Sequence, residues 1–210
     1  MIKNTYAGKF IVFDGLDGSG LSTQAERLGD FLNLPEQKLK FGHTGVYLTK
    51  EPTDSLIGGL IRSQLSHEWK SSPECLQLLF SADRAHHLEK EIIPLLERGI
   101  LVICDRYFFS TIAYGGLHIQ DRKWLLDLNK NFLLPDITFL LKVSPKICME
   151  RIRKTRFGAT LFEQEDKLRK VWENFERLAQ EFDNTYIING ERPVEKITQE
   201  VIEIISQKLI

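Results

Sequence analysis

Residues Gly15-Leu16-Asp17-Gly18-Ser19-Gly20-Leu21-Ser22-Thr23 have the types and spacing to hold a phosphate group. They fit the frame G-x-x-x-x-G-K-S/T at every fixed position except one. Position 21, where the frame carries lysine, is leucine. Successive backbone N–H groups in a glycine-rich turn make a nest for phosphate oxygens. The first turn of a following helix adds partial positive charge. Neither contribution needs a side chain at position 21. The Ser22 hydroxyl is in place to ligate Mg²⁺, and Thr23 follows it. What is missing is the ammonium that reaches the outer phosphates. A fixed donor aimed at developing charge is worth about 10²–10³ in rate, roughly 3–4 kcal/mol. A side chain at position 21 is expected to point toward the phosphates and not the core, so the loop should accept a lysine.

Such a loop has to sit between a buried strand and a helix. Phe10 to Phe13 are apolar in a row, and a strand is expected over 10–14. A helix is expected over 21–33, with Ala25, Leu28, Phe31 and Leu32 on one face. Val46 to Thr49 read as a short second strand, Pro52 as a break, and 54–65 as a helix. Pro73 suits the first position of a helix over 73–98, which Pro94 should kink or split. A third strand is expected over Ile100–Cys104, then helices over 108–117 and 121–130. A fourth strand follows over Ile137–Val143, then a helix over 145–155 and a long charged one over 163–182. Tyr186 to Ile188 form the fifth strand, and Pro193 opens a last helix running to about Lys208. This alternation predicts an α/β fold of three layers, a five-stranded parallel sheet with helices on both faces. Ligands bind such sheets at the carboxyl ends of the strands. The polar clusters Asp14–Ser22, Thr49–Thr53 and Asp105–Tyr107 all fall there.

The chain has 210 residues, which predicts one domain over 1–210. Lys and Arg number 28, Asp and Glu 29, and the net charge of −1 gives no sign of nucleic-acid or membrane affinity. Cys75, Cys104 and Cys148 are widely spaced and form neither a metal pattern nor a disulfide framework. Reduced, buried thiols are expected. No apolar stretch reads as a signal peptide or a membrane span, and a cytoplasmic protein is expected. There are no repeats or low-complexity runs.

Taken together, the clusters resemble the thymidylate kinase family of P-loop enzymes. The family pattern F-E-G-x-D-G-x-G-K-S-T appears as Phe13-Asp14-Gly15 and its continuation to Thr23. T-R-E-P appears as Thr49-Lys50-Glu51-Pro52. L-L-F-A-A-D-R-A-x-H appears as Leu78 to His87, with Phe80, Asp83 and Arg84 in register. D-R-Y-x-x-S-x-x-A-Y appears as Asp105-Arg106-Tyr107, then Ser110, Ala113 and Tyr114. P-D-x-T appears as Pro135 to Thr138. The match keeps order and spacing over nearly the whole chain.

The resemblance implies phosphorylation of dTMP by ATP, with Mg²⁺ bridging the transferred phosphates. Gly15, Asp17, Gly18, Ser19, Gly20, Leu21, Ser22 and Thr23 would cradle the ATP phosphates. Ser22 and Asp105 would hold the metal. For dTMP, Phe80 would stack on the base, Arg84 would bond its edge, and Glu51 and Pro52 would wall the site. Stacking of this kind is worth about 1–3 kcal/mol. Arg106 would grip the acceptor phosphate, with Ser110 also on the dTMP side, and Asp105 beside Arg106 would act in catalysis by helping to hold Mg²⁺, directly or through water; a planar guanidinium suits the phosphate contact. Asp17 would lie near the sugar hydroxyl, and the Tyr114 ring would crowd the 2′ position and favour deoxyribose. His86 and His87 are expected on a polar helix face with no metal role. A homodimer is implied as well.

A lid is expected over 151–165, because nucleotide kinases exclude water from the transferred phosphate. The family segment ends D-R-x-E-x-E. Glu163 and Glu165 match, but the acid–arginine pair is Thr160-Leu161. Lys50 stands for arginine, and Gly115 for the usual glutamine. Arg151, Arg153, Lys154 and Arg156 remain near the lid, and Arg153 or Arg156 is expected to replace the lost lysine. Two other readings stay open: a nucleotide-binding relative with little turnover, and a kinase for another nucleoside monophosphate.

Overall fold

The computed structural model describes residues 1–155 and 165–209. The chain begins with β1 (Ile2–Lys3), β2 (Phe10–Gly15), α1 (Leu21–Leu32), α2 (Pro35–Phe41), β3 (Gly45–Lys50) and α3 (Leu56–Leu65). It continues through α4 (Pro73–His87), a π-helical turn (Leu88–Ile92), α5 (Ile93–Glu97), β4 (Ile100–Asp105), α6 (Phe108–Gly115) and α7 (Arg122–Asp127). Then come β5 (Leu133–Leu134), β6 (Ile137–Lys142), α8 (Pro145–Thr155), α9 (Glu165–Glu181), β7 (Thr185–Asn189) and α10 (Val194–Lys208).

The main sheet has the order β3-β4-β2-β6-β7, and every pairing in it is parallel. All six residues of β2 are buried, as its central place requires. Its side chains divide between two cores. Phe10 and Val12 join the cluster beneath α4, α6 and α9, while Ile11 and Phe13 join the one beneath α1 and α10. Val102 and Cys104 of β4 share the first face, Leu101 and Ile103 the second. This period of two, with apolar residues on both sides, is the signature of a sheet covered by helices twice over. The expected three-layer α/β architecture is therefore the observed one. The carboxyl ends of β2, β3 and β4 lie side by side, because Phe13 and Lys50 both pair with Asp105.

The helix expected over 73–98 is split near Pro94, as expected, into two helices joined by the π turn, while other elements differ from expectation. Pro94 lacks an N–H and clashes one turn back, so the backbone widens before it. α2 was not expected; it has no buried residue and hence no apolar stripe to read. β1 and β5 pair in a separate two-stranded sheet too short to show a period. The helix expected over 121–130 ends at Asp127, and Asn129 is completely buried. His87 is not on a polar face: it is buried, with its ring between Thr49 and Glu51.

α3 approaches the loop after β3 closely, and glycine permits it. A Cβ on Gly58 would lie 1.8 Å from the Thr53 carbonyl oxygen, whereas one on Gly59 would meet nothing within 4 Å. Gly58→Ala should therefore cost about 1–3 kcal/mol by overpacking. Gly59→Ala should instead raise stability by about 0.5–1 kcal/mol, the usual gain in a helix interior. Thermal or urea unfolding of both variants checks this, and equal shifts in the same direction would refute the close contact.

Candidate active site

A cavity of about 440 Å³ opens at the carboxyl ends of β2, β3 and β4. Among the residues expected in the site, Asp17, Ser22, Glu51, Pro52 and Phe80 line it. So do Arg84, Asp105, Arg106, Ser110 and Tyr114. Residues from four separate sequence segments thus meet at one place.

The glycine-rich loop leads from β2 into α1. Gly15, Gly18 and Gly20 have φ of 151°, 78° and 99°. The turn at Gly18 also tolerates no side chain, since a Cβ would lie 2.8 Å from the Cys148 carbonyl oxygen of α8. No side chain caps α1 at Gly20, and its first turn carries no acid. Its first N–H groups are therefore available to an anion. Ser19 Oγ, inside the loop, is buried without a hydrogen-bond partner. Ser22 and Thr23 are exposed. The Ser22 hydroxyl donates to Asp105 Oδ2, bringing an alcohol and a carboxylate into direct contact.

Leu21 departs from expectation. Its side chain is buried and belongs to the apolar cluster of Phe13, Ala25 and Leu28. An aliphatic chain gains nothing by facing phosphates, so it folds back onto the sheet. Only the Leu21 backbone is placed to serve the cradle.

Arg106 occupies the left-handed region at φ 73°. Such a conformation in a non-glycine residue costs energy that surrounding contacts must hold in place. Those contacts are present. Nη1 donates to the Gly15 carbonyl at 3.0 Å and to Ser110 Oγ at 2.9 Å, and Nη2 to Asp17 Oδ1 at 2.8 Å. Burial by itself would lower the Arg106 pKa, but Asp17, Tyr114, Asp105 and Asp14 outweigh it and raise it. The Tyr114 hydroxyl accepts from the Asp17 amide at 3.0 Å and donates to Asp17 Oδ2 at 3.1 Å. Burial, then the Asp17 charge, raise the Tyr114 phenol well above its usual range.

Asp14 lies behind Arg106 and was not among the expected site residues. Its carboxylate accepts from Ser110 Oγ at 2.5 Å and from the Tyr107 and Ser110 amides at 3.3 Å. It thereby anchors the start of α6 and fixes Ser110, which in turn orients Arg106. Burial pushes its carboxyl up to about 6, against the pull of Arg106 and these hydrogen bonds.

Arg84 is buried, at 1% exposure, where a surface helix arginine would be open. Nε and Nη2 donate to Glu51 Oε2 at 2.9 and 2.7 Å. Nη2 also donates to Thr111 Oγ1 at 2.9 Å and Nη1 to Asn129 Oδ1 at 2.5 Å. One Nη1 hydrogen is left over from these bonds. Thr111 and Asn129 were missed by sequence reasoning. Thr111 adjoins a predicted residue and could have been found from that; Asn129 sits in a polar stretch with no periodic signal.

Of the lid cations, Arg151 reaches the loop. Its Nη1 lies 3.3 Å from the Ser19 carbonyl oxygen and its Nη2 3.2 Å from that of Gly190. Arg153 and Lys154 are exposed. Two residues along a helix is more than half a turn, so Arg153 points away from the direction Arg151 takes. Arg156, Thr160, Leu161 and Glu163 lie outside the described residues, as does most of the expected lid.

The thymidylate kinase family profile matches residues 13–201. A probable thymidylate kinase of Thermococcus kodakarensis is 40% identical over 210 residues, covering 95% of this chain and 98% of that one. One from Pyrococcus horikoshii is 40% identical over 209 residues, covering 97% and 98%. The structure of thymidylate kinase from Candida albicans superposes with a TM-score of 0.78 at 27% identity, over 97% of this chain and 93% of that one. With matches this complete in sequence and in fold, the chain belongs to the thymidylate kinase family.

Proposed function

We propose that this chain transfers the terminal phosphoryl group of ATP to dTMP, giving ADP and dTDP. An oxygen of the dTMP phosphate attacks the γ-phosphorus, and the bond to the ADP oxygen breaks. The observation that carries the reading is the cavity shared by the loop end, Arg106 and the Phe80–Arg84 face of α4. One end offers phosphate contacts and the other a stacking ring and an edge donor. Positioning and charge stabilisation are what this chemistry needs.

In this reading the loop amides hold the donor phosphates and Arg106 the acceptor phosphate, with Asp14 and Ser110 keeping Arg106 in place. Asp17 and Tyr114 flank the sugar, and the Tyr114 ring disfavours a 2′-hydroxyl. Ser22 and Asp105 fit Mg²⁺, since both are hard oxygen donors and already touch. Among the described residues no group of three His, Cys, Asp or Glu could hold a metal. Phosphate oxygens and water would complete the shell, and the ion would supply charge neutralisation between the phosphates. Among the described lid cations, Arg151 is the one placed beside the loop to stand in for the missing lysine.

The assembly proposed is a homodimer of single-domain chains. Its support is the exposure of Leu56, Leu60 and Leu78, at 92%, 49% and 51%, on the packed pair α3 and α4. No described helix is long and apolar enough to cross a membrane. The free cysteines fit a reducing compartment, the cytoplasm. The second reading is a nucleotide binder with little turnover, favoured by the burial of Leu21.

An ADP-release assay over several monophosphates tests the main reading, with dTMP expected to be the preferred acceptor and UMP poor. Equal use of dTMP and UMP would remove the role given to Tyr114. Arg106→Ala should weaken dTMP binding by about ten- to hundredfold, the cost of a charged hydrogen bond, while thymidine binding changes little. Equal losses for both ligands in titration calorimetry would make Arg106 purely structural. Leu21→Lys can bury its stem and extend its ammonium. It should raise turnover by up to about 10²-fold, and Arg151→Ala should lower it far more than Arg153→Ala. If neither wild type nor Leu21→Lys releases ADP while both bind nucleotide, the binder reading stands.

A further inference from the structure

Gln77 is 3% exposed and lines the acceptor cavity. It also lines a neighbouring cavity of about 270 Å³, so it is part of the wall between the two. Its Oε1 is sealed from solvent and has no hydrogen-bond partner. Buried polar side-chain atoms are nearly always paired, and an exception at a cavity wall needs a cause.

The location has a packing reason. A Cβ on Gly115 would lie 3.1 Å from Gln77 Cδ and 3.2 Å from Gln77 Oε1. The amide thus lies in space that a side chain at 115 would take. Gln77, Phe80 and Arg84 follow helical spacing along one face of α4, and all three line the same cavity. Phe80 offers a ring face. Arg84 offers donors only, so a carbonyl must face it. In a thymine or uracil ring an N–H adjoins that carbonyl, and it needs an acceptor. Of the described buried acceptors without a partner, the Gln77 carboxamide is the one whose residue lines the same cavity as Arg84.

We propose that Gln77 reads the acceptor base: with its carboxamide turned over, Oε1 leaves Gly115, faces the cavity and accepts the ring N3–H while Arg84 faces the neighbouring carbonyl. The inference rests on the acceptor-site reading above and adds a residue to it. Gln77 is then a specificity residue that touches substrate, and Gly115 is what gives it room.

N3-methyl-dTMP is the probe, because methylation removes the N–H and adds bulk at that point. Titration calorimetry would compare it with dTMP on wild type, Gln77→Ala and Gln77→Met. Methylation should weaken binding to wild type by about a hundredfold and to Gln77→Ala by only about threefold, since the contact and its crowding are both gone. Binding of dTMP itself should fall about five- to tenfold in both variants, the value of one neutral hydrogen bond. Gln77→Met keeps the volume, so dTMP binding as tight as wild type there would show that the amide does nothing. An unchanged methylation penalty in Gln77→Ala would overturn the inference and leave the acceptor site intact. Failure of wild type to bind dTMP would overturn the acceptor site and the inference together.

Discussion

The site is organised around a buried guanidinium. Arg84 is out of water, and an isolated charge there would cost several kcal/mol even after relaxation. Glu51, at the end of β3, supplies the opposite charge, and Thr111 and Asn129 satisfy further N–H groups. Glu51 is held in turn by His87, whose other nitrogen meets Thr49. The end of an edge strand, two turns of α4, the start of α6 and the segment after α7 are tied through one side chain. Removing any acceptor would leave buried donors unpaired, which costs more than the bond itself contributes. Such a network fixes the walls of the cavity before any ligand arrives.

A second network fixes the phosphate end. Asp14, Ser110, Arg106, Asp17 and Tyr114 form a chain in which each polar group is engaged by the next. It holds Arg106 in a backbone conformation that the residue would not choose alone. The two networks meet on α6, where Ser110 and Thr111 are adjacent and serve one each. α6 is thus the rigid element that sets the spacing between the base end and the phosphate end. Its N-terminus is anchored by Asp14 from the central strand, so that spacing refers back to the most buried part of the sheet.

Much of this was legible from residue types. The buried strands carry unbroken apolar runs, and the loop glycines have a spacing that few other structures require. Arg106, Asp17, Ser110 and Tyr114 come together as expected because three strand ends adjoin in any sheet of this kind. The burial of His87 was not legible: two histidines in a polar stretch read as a solvated face, and the partners that draw one inward are 36 and 38 residues away. Asp14 was hidden for the same reason, since its partners lie on α6. Leu21 was misplaced because position in a motif was allowed to decide direction, where the chemistry of the side chain decides it. α2 and the short β1–β5 pair bury too little to leave a pattern.

Leu21 also sets where positive charge can be carried around the loop. At this position the residue answers to packing, and so do its neighbours in the same apolar cluster. A lysine placed there has to thread its methylene stem through a dense core before its ammonium reaches the loop. A cation on the α8 side of the loop, where Arg151 lies, meets no such demand. The loop can thus be approached by charge from two directions, one tied to the packing of the sheet and one independent of it.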